Sequence, residues 1–140
     1  FYKEINLSDT FETRVYLMFI HFSIILMIFK KKKIKFSQEN YDNLFFCIEN
    51  NLRELGFGDV SVNKKMKELN KILYDILLKL NKSSYIFEVN KDLIFKYFSD
   101  FSKLDFKKYN LFEDYLKKFY HFCFELKPQS MIKEALKFKV

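Results

Sequence analysis

The feature that most constrains this chain is a fifteen-residue apolar stretch from Val15 to Phe29, interrupted only by His21 and Ser23. A helix that is apolar on all sides must be surrounded, either by the rest of its own protein or by lipid. Fifteen residues fall short of the roughly 20 needed to cross a bilayer. A buried central helix is therefore expected, and a membrane-anchored fragment of a helical membrane protein is the weaker alternative. Asp9 followed by Glu12 reads as an N-cap with an acceptor at the third helical position, which opens this helix.

Helical periodicity continues downstream. Ser37 is placed to cap a second helix, in which Tyr41, Leu44, Phe45, Ile48, Leu52 and Leu55 share one stripe at three- and four-residue steps. Gly56 ends it by taking the left-handed conformation a helix exit favours, and Gly58 lets the chain turn before Ser61 caps a third helix. That helix turns Met66, Leu69, Leu73, Ile76, Leu77 and Leu80 inward and closes near Asn81. Tyr85 to Phe98 predicts a shorter fourth helix. Phe112, Tyr115, Leu116, Phe119, Cys123 and Leu126 mark the inner stripe of a fifth, stopped by Pro128, and Ser130 to Lys137 reads as one or two further turns. No segment alternates strictly enough to predict a strand. The expected architecture is all-α: a single-domain helical bundle over residues 1–140, with about five main helices around a central apolar one. The chain opens on Phe1 rather than Met, so it is read as a segment of a longer protein, with any targeting peptide upstream.

Charge separates the function classes. The chain carries a formal net charge of +7, unevenly spread: Lys30 to Phe36 and residues 61–82 are basic, and the helix between them is acidic. With 23 Lys against 2 Arg and a single Ala, the composition is what an A+T-rich coding sequence gives, so aromatic and lysine abundance say little by themselves. The two arginines, Arg14 and Arg53, say more, because only a guanidinium offers a planar, bidentate partner for a carboxylate. Each is read as either a structural ion pair or a binding group. The basic patch of Lys30, Lys31, Lys32, Lys33, Lys64 and Lys65 is read as a solvated surface or as a contact for ribosomal RNA or anionic lipid.

Catalytic constellations are sparse. Gly56 and Gly58 are the only glycines, so neither a P-loop nor a G-x-G-x-x-G turn can be written. His21 and His121 lie inside apolar helices without a carboxylate or nucleophile at a familiar spacing, and are read as core or rim histidines. His121 and Cys123 diverge by about 200° on a helix, so a metal site is not expected. Two cysteines, Cys47 and Cys123, make no disulfide framework and favour a reducing compartment. An enzyme, a cofactor and a DNA partner are not expected.

What stands out is a corner: Leu52-Arg53-Glu54-Leu55-Gly56-Phe57-Gly58-Asp59, followed by Val62-Asn63-Lys64-Lys65-Met66. Arg53 and an acid such as Asp59 either brace a tight turn or display charge beside an exposed Phe57 as an interaction site would. This corner resembles the signature of the ubiquinol-cytochrome c chaperone family of alphaproteobacteria and mitochondria. Phe1-Tyr2, Asp9-Thr10, Arg14 and His21 match the family's opening in order and approximate spacing, and Tyr115 to Leu126 resembles its closing helix more loosely. The chain departs from the family at Cys47-Ile48-Glu49-Asn50-Asn51, where an acid-rich stretch is common, and at Asn63 and Ile72-Leu73.

The resemblance implies an all-α, non-enzymatic assembly factor that binds newly made cytochrome b for respiratory complex III. It implies Arg14, His21, Arg53, Glu54, Phe57 and Asp59 as partner-binding residues around the structural corner of Gly56 and Gly58. The expected partners are cytochrome b as client, a small partner chaperone, the ribosome near its tunnel exit, and peripherally the anionic membrane. The expected location is the bacterial cytoplasm near the inner membrane, or alternatively the matrix side of the mitochondrial inner membrane. The runner-up function is a basic helical module that binds ribosomal RNA or the anionic membrane surface.

Overall fold

The computed structural model describes residues 7, 10–81, 86–98, 101, 106–127 and 131. Five helices follow one another: α1 Phe11–Lys31, α2 Gln38–Glu54, α3 Asp59–Lys79, α4 Lys91–Tyr97 and α5 Phe106–Phe124. Among the described residues there is no strand; a lone antiparallel bridge joins Asn81 to Val89. The all-α bundle expected from periodicity is the fold observed. The expectations resting on Phe1-Tyr2, Asp9, Tyr85 and Pro128, and on the tail apart from Met131, lie outside the described residues.

The central position of α1 follows from its composition. Val15, Leu17, Phe19, Ile20, Ile24, Ile25, Ile28 and Phe29 are all buried, and they point around most of the helix. Two neighbours, α3 and α5, pack against it. The helix is long and apolar enough by composition to cross a membrane, yet half of its most apolar stretch is buried by other parts of this protein. Its N-cap is Thr10, whose Oγ1 accepts from the Thr13 N–H at 3.1 Å. The cap predicted at Asp9 is thus one residue further on, because Thr10 is the residue with extended backbone and its hydroxyl on the third amide.

On the outside, α2 packs against α3 and fully buries only Ile48 and Leu52. Tyr41, Leu44 and Phe45 are half-buried against the core. Leu55, predicted to face inward, is exposed because it is the C-cap at the corner, beyond the last turn that touches the core. Val62, Leu69, Leu73 and Ile76 form the inner face of α3. On α5 that role falls to Tyr109, Phe112, Leu116, Phe119 and Cys123. The Cys123 thiol is pushed up to about 12 by burial. Cys47 is exposed, and both are free thiols.

The fourth helix is shorter than periodicity predicts. It starts at Lys91 under an Asn90 cap, whose side chain accepts from the Leu93 N–H. Before it, Asn81 Oδ1 accepts the Glu88 N–H at 2.9 Å, Leu80 O accepts the Asn90 N–H at 2.8 Å, and Asn90 Nδ2 donates to Lys79 O at 2.9 Å. Two asparagine side chains thereby satisfy backbone groups around the end of α3 and hold residues 87–90 out of helix.

Candidate functional site

The corner between α2 and α3 is built by a Schellman motif. The Phe57 N–H reaches back to Leu52 O at 3.2 Å and the Gly56 N–H to Arg53 O at 3.0 Å. This geometry puts Gly56 at φ 96°, a left-handed conformation in which a Cβ is strained. Gly58 uses no such freedom. Its backbone is extended, it is itself the N-cap of α3, and a Cβ there would meet nothing. The start of α3 therefore falls at Asp59 rather than after Ser61, with the Val62 N–H bonded to Gly58 O at 2.8 Å.

Arg53 spans the corner. Its Nη1 donates to Asp59 Oδ1, and its Nη2 donates to Glu49 Oε1 at 3.0 Å. Those two carboxylates raise the guanidinium pKa still further. Arg53 lies in the last turn of α2 and Asp59 in the first turn of α3. Each charge thus also opposes the partial charge of its own helix end. Leu55, Phe57 and Val60 stand exposed around this ion pair, Phe57 at 41% and Val60 at 84%.

Beside the corner lies a cleft of about 390 Å³ between the first turns of α1 and the last turn of α2. Phe11, Arg14, Val15 and Met18 line it from α1, and Asn51, Glu54 and Leu55 from α2. Of the residues predicted for the site, the fold gathers Arg14 and Glu54 in this cleft and Arg53, Phe57 and Asp59 on the adjoining corner. Phe11, Met18, Asn51 and Leu55 were missed. Phe11 and Asn51 stand three residues before Arg14 and Glu54, whereas Met18 and Leu55 read in the sequence as positions of the apolar stretch and of the second helix's stripe.

His21 is not at the corner. It belongs to the contact between α1 and α5, where its ring lies edge-on to Tyr115 and Phe119, with centroids at 5.5 and 4.7 Å. The Leu17 carbonyl can only accept, so Nδ1 carries the proton toward it at 2.6 Å and Nε2 accepts from the Tyr115 hydroxyl at 2.7 Å. Burial pushes its pKa below the usual histidine value, against a smaller opposing effect of the Leu17 bond. The neutral ring bridges two helices. His121 is exposed at the last turn of α5.

The lysine run divides in two. Lys31 Nζ donates to the Tyr120 hydroxyl at 3.1 Å, and Lys32 Nζ donates to the carbonyls of Phe124 and Leu126, the latter at 3.1 Å. Lys32 thus satisfies open carbonyls at the C-terminal end of α5, where a cation is favoured. Lys30, Lys33 and Lys35 are exposed. Lys33 occupies the left-handed position of a second Schellman motif, at φ 57°, with the Ile34 N–H on Phe29 O at 2.9 Å. Lys64 is exposed on α3, whereas Lys65 is half-buried and paired with Glu68 at 3.8 Å. Among the described residues no group of three or more His, Cys, Asp or Glu side chains converges.

Fold and corner define a class: an all-α bundle with an open contact surface, part charged and part apolar. The family is narrower. The model of the family described as Ubiquinol-cytochrome C chaperone matches residues 3–84, and the chain belongs to that family. No curated protein and no solved structure matches it. The matched span takes in α1, α2 and α3 with the corner and the cleft; the looser likeness read at Tyr115 to Leu126 lies beyond it. Membership gives the chain a chaperone's role in assembly of ubiquinol–cytochrome c reductase, and with it a protein client.

Proposed function

We propose that this protein is a non-enzymatic assembly chaperone that binds newly synthesised cytochrome b and supports its delivery into respiratory complex III. The observation that carries the reading, within the family shown above, is the cleft beside the corner. Arg14 and Glu54 flank an apolar lining of Phe11, Val15 and Met18, next to the exposed Leu55, Phe57 and Val60. A client rich in apolar helices needs its surface shielded from water, and an apolar cleft with charged edges does so reversibly. Arg53 and Asp59 hold the corner in shape, and Phe57 offers the exposed aromatic contact. His21 contributes indirectly, by fixing α1 against α5. We assign the protein to the face of the membrane where cytochrome b is made, in the bacterial cytoplasm or the mitochondrial matrix, acting with a small partner chaperone near the ribosomal tunnel exit. We read residues 1–140 as a single helical domain.

The test is a photo-cross-linking residue placed at Leu55 or Phe57 while cytochrome b is pulse-labelled. The expected product is a labelled adduct of the two proteins, weakened by Arg14→Glu. Absence of any adduct from both positions, with the same residue active elsewhere on the protein, would count against the reading. A second reading, contact with ribosomal RNA or the anionic membrane, is favoured by the exposed Lys30, Lys33 and Lys35 around Ile34. It requires that charge reversal at Lys30 and Lys33 abolish salt-sensitive association while folding is kept.

A further inference from the structure

The outer face of α3 carries a feature that, Val60 apart, the cleft and the corner do not use. Val60, Lys64, Lys67, Lys71, Tyr74 and Leu78 are all exposed, and they follow one another at alternating steps of four and three residues. At 100° per residue they fall within an arc of about 80°, along roughly 27 Å of helix. This is the spacing of a coiled-coil seam, in which successive side chains meet one facing helix. Both ends of the seam are apolar: Val60 at one end, and at the other Tyr74 and Leu78, 56% and 79% exposed. Its middle is cationic.

Every acid on α3 is engaged elsewhere. Asp59 holds Arg53, Glu68 holds Lys65, and Asp75 holds Lys79 and Lys96 while accepting from the Tyr97 hydroxyl. Among the described residues no ion pair involves Lys64, Lys67 or Lys71. Like charges three and four residues apart repel on a helix, and a partner's carboxylates opposite them would relieve that repulsion. We propose that the α3 seam is a docking surface for an acidic amphipathic helix of a partner protein, with carboxylates opposite the three lysines and apolar side chains against Val60, Tyr74 and Leu78.

Charge complementarity selects that occupant. A bilayer is a poor fit, because three lysines fill the middle of the stripe's length, within the same arc as Val60 and Leu78, where a helix lying in a membrane surface carries apolar residues. RNA is a poor fit, because the seam closes at both ends in the aliphatic Val60 and Leu78 and offers a single aromatic ring, Tyr74, where single-stranded RNA uses a series of stacking side chains. A transmembrane client segment is a poor fit too, since three lysines would face hydrocarbon. The proposal stands independently of cytochrome b binding.

The probe is a synthetic helical peptide with glutamates at the heptad positions facing the lysines and leucines at the flanking ones. Its lysine-for-glutamate counterpart, polyuridylic acid and phosphatidylglycerol vesicles serve as comparisons, all titrated against the full chain. The expected result is saturable binding of the acidic peptide. Lys64→Glu/Lys67→Glu/Lys71→Glu should weaken it about tenfold or more and confer binding of the lysine peptide. Leu78→Ser, which removes the apolar contact without changing the charge, should also weaken the acidic peptide, which a purely electrostatic polyanion site would not require. If the triple variant unfolds by circular dichroism, Leu78→Ser decides alone, its side chain being too exposed to support the core. Absence of acidic-peptide binding would overturn the proposal, as would acidic-peptide binding indifferent to Leu78.

Discussion

At the scale of single residues, two buried or bonded groups set how stability responds to pH. His21 is held neutral between Leu17 and Tyr115, with its pKa lowered by burial. A lowered folded-state value means that its contribution is fully present above about pH 6.5, the unfolded histidine value, and is lost as pH falls toward the folded one. Urea midpoints measured from pH 7.5 to 5.5 should therefore decline, and His21→Gln should flatten that decline. Asp75 behaves likewise at lower pH. Bonds from Tyr97, Lys79 and Lys96 hold its carboxyl well below the usual carboxylate range. Its contribution is present above about pH 3.9 and lost below. Asp75→Asn should remove part of the acid limb without changing the midpoint slope near neutrality. Arg53 makes its bonds in solvent, so Arg53→Ala should leave the thermal midpoint nearly unchanged while loosening the corner. Amide exchange at residues 56–60 would report that loosening.

At the scale of elements, the two Schellman turns form a natural pair. Gly56 meets the left-handed requirement without a side chain, and Lys33 meets it with one. Gly56→Ala should destabilise by about 1 kcal/mol and Lys33→Gly should stabilise by about the same amount. Gly58→Ser, at an unstrained N-cap with open space for its side chain, should be neutral or stabilising by a few tenths of a kcal/mol. Chemical denaturation of the three variants tests all of these. Helix identity was legible in the sequence because α1, α3 and α5 repeat apolar residues at three- and four-residue steps over many turns. Two boundaries were not. Asn81 and Asn90 bond to backbone groups brought near by tertiary folding, which shortens α4, and Asp59 begins α3 early because Arg53 meets it across the corner. The cleft was half legible: Arg14 and Glu54 stood out as charges, but its floor of Phe11, Val15 and Met18 reads locally like any core stripe.

At the scale of the whole molecule, α1 organises everything else. Ile20, Ile24 and Ile28 are sealed inside the bundle, so Ile24→Ala should cost about 2–4 kcal/mol, read by urea denaturation, and lower chaperone abundance in the cell. The proposed client cleft lies at the first turns of this helix and the exposed lysine turn at its last, about 30 Å apart along its axis. The apolar, charge-edged surface at the corner can therefore be altered without touching the basic turn. The central claim, that this surface serves newly made cytochrome b, is tested most directly by the steady-state level of complex III in a deletion strain complemented with wild-type protein or with Arg14→Glu/Phe57→Asp. Complex III should be lost on deletion, restored by the wild type and not by the folded double variant. Undiminished complex III in the deletion strain, or full restoration by the double variant, would contradict it.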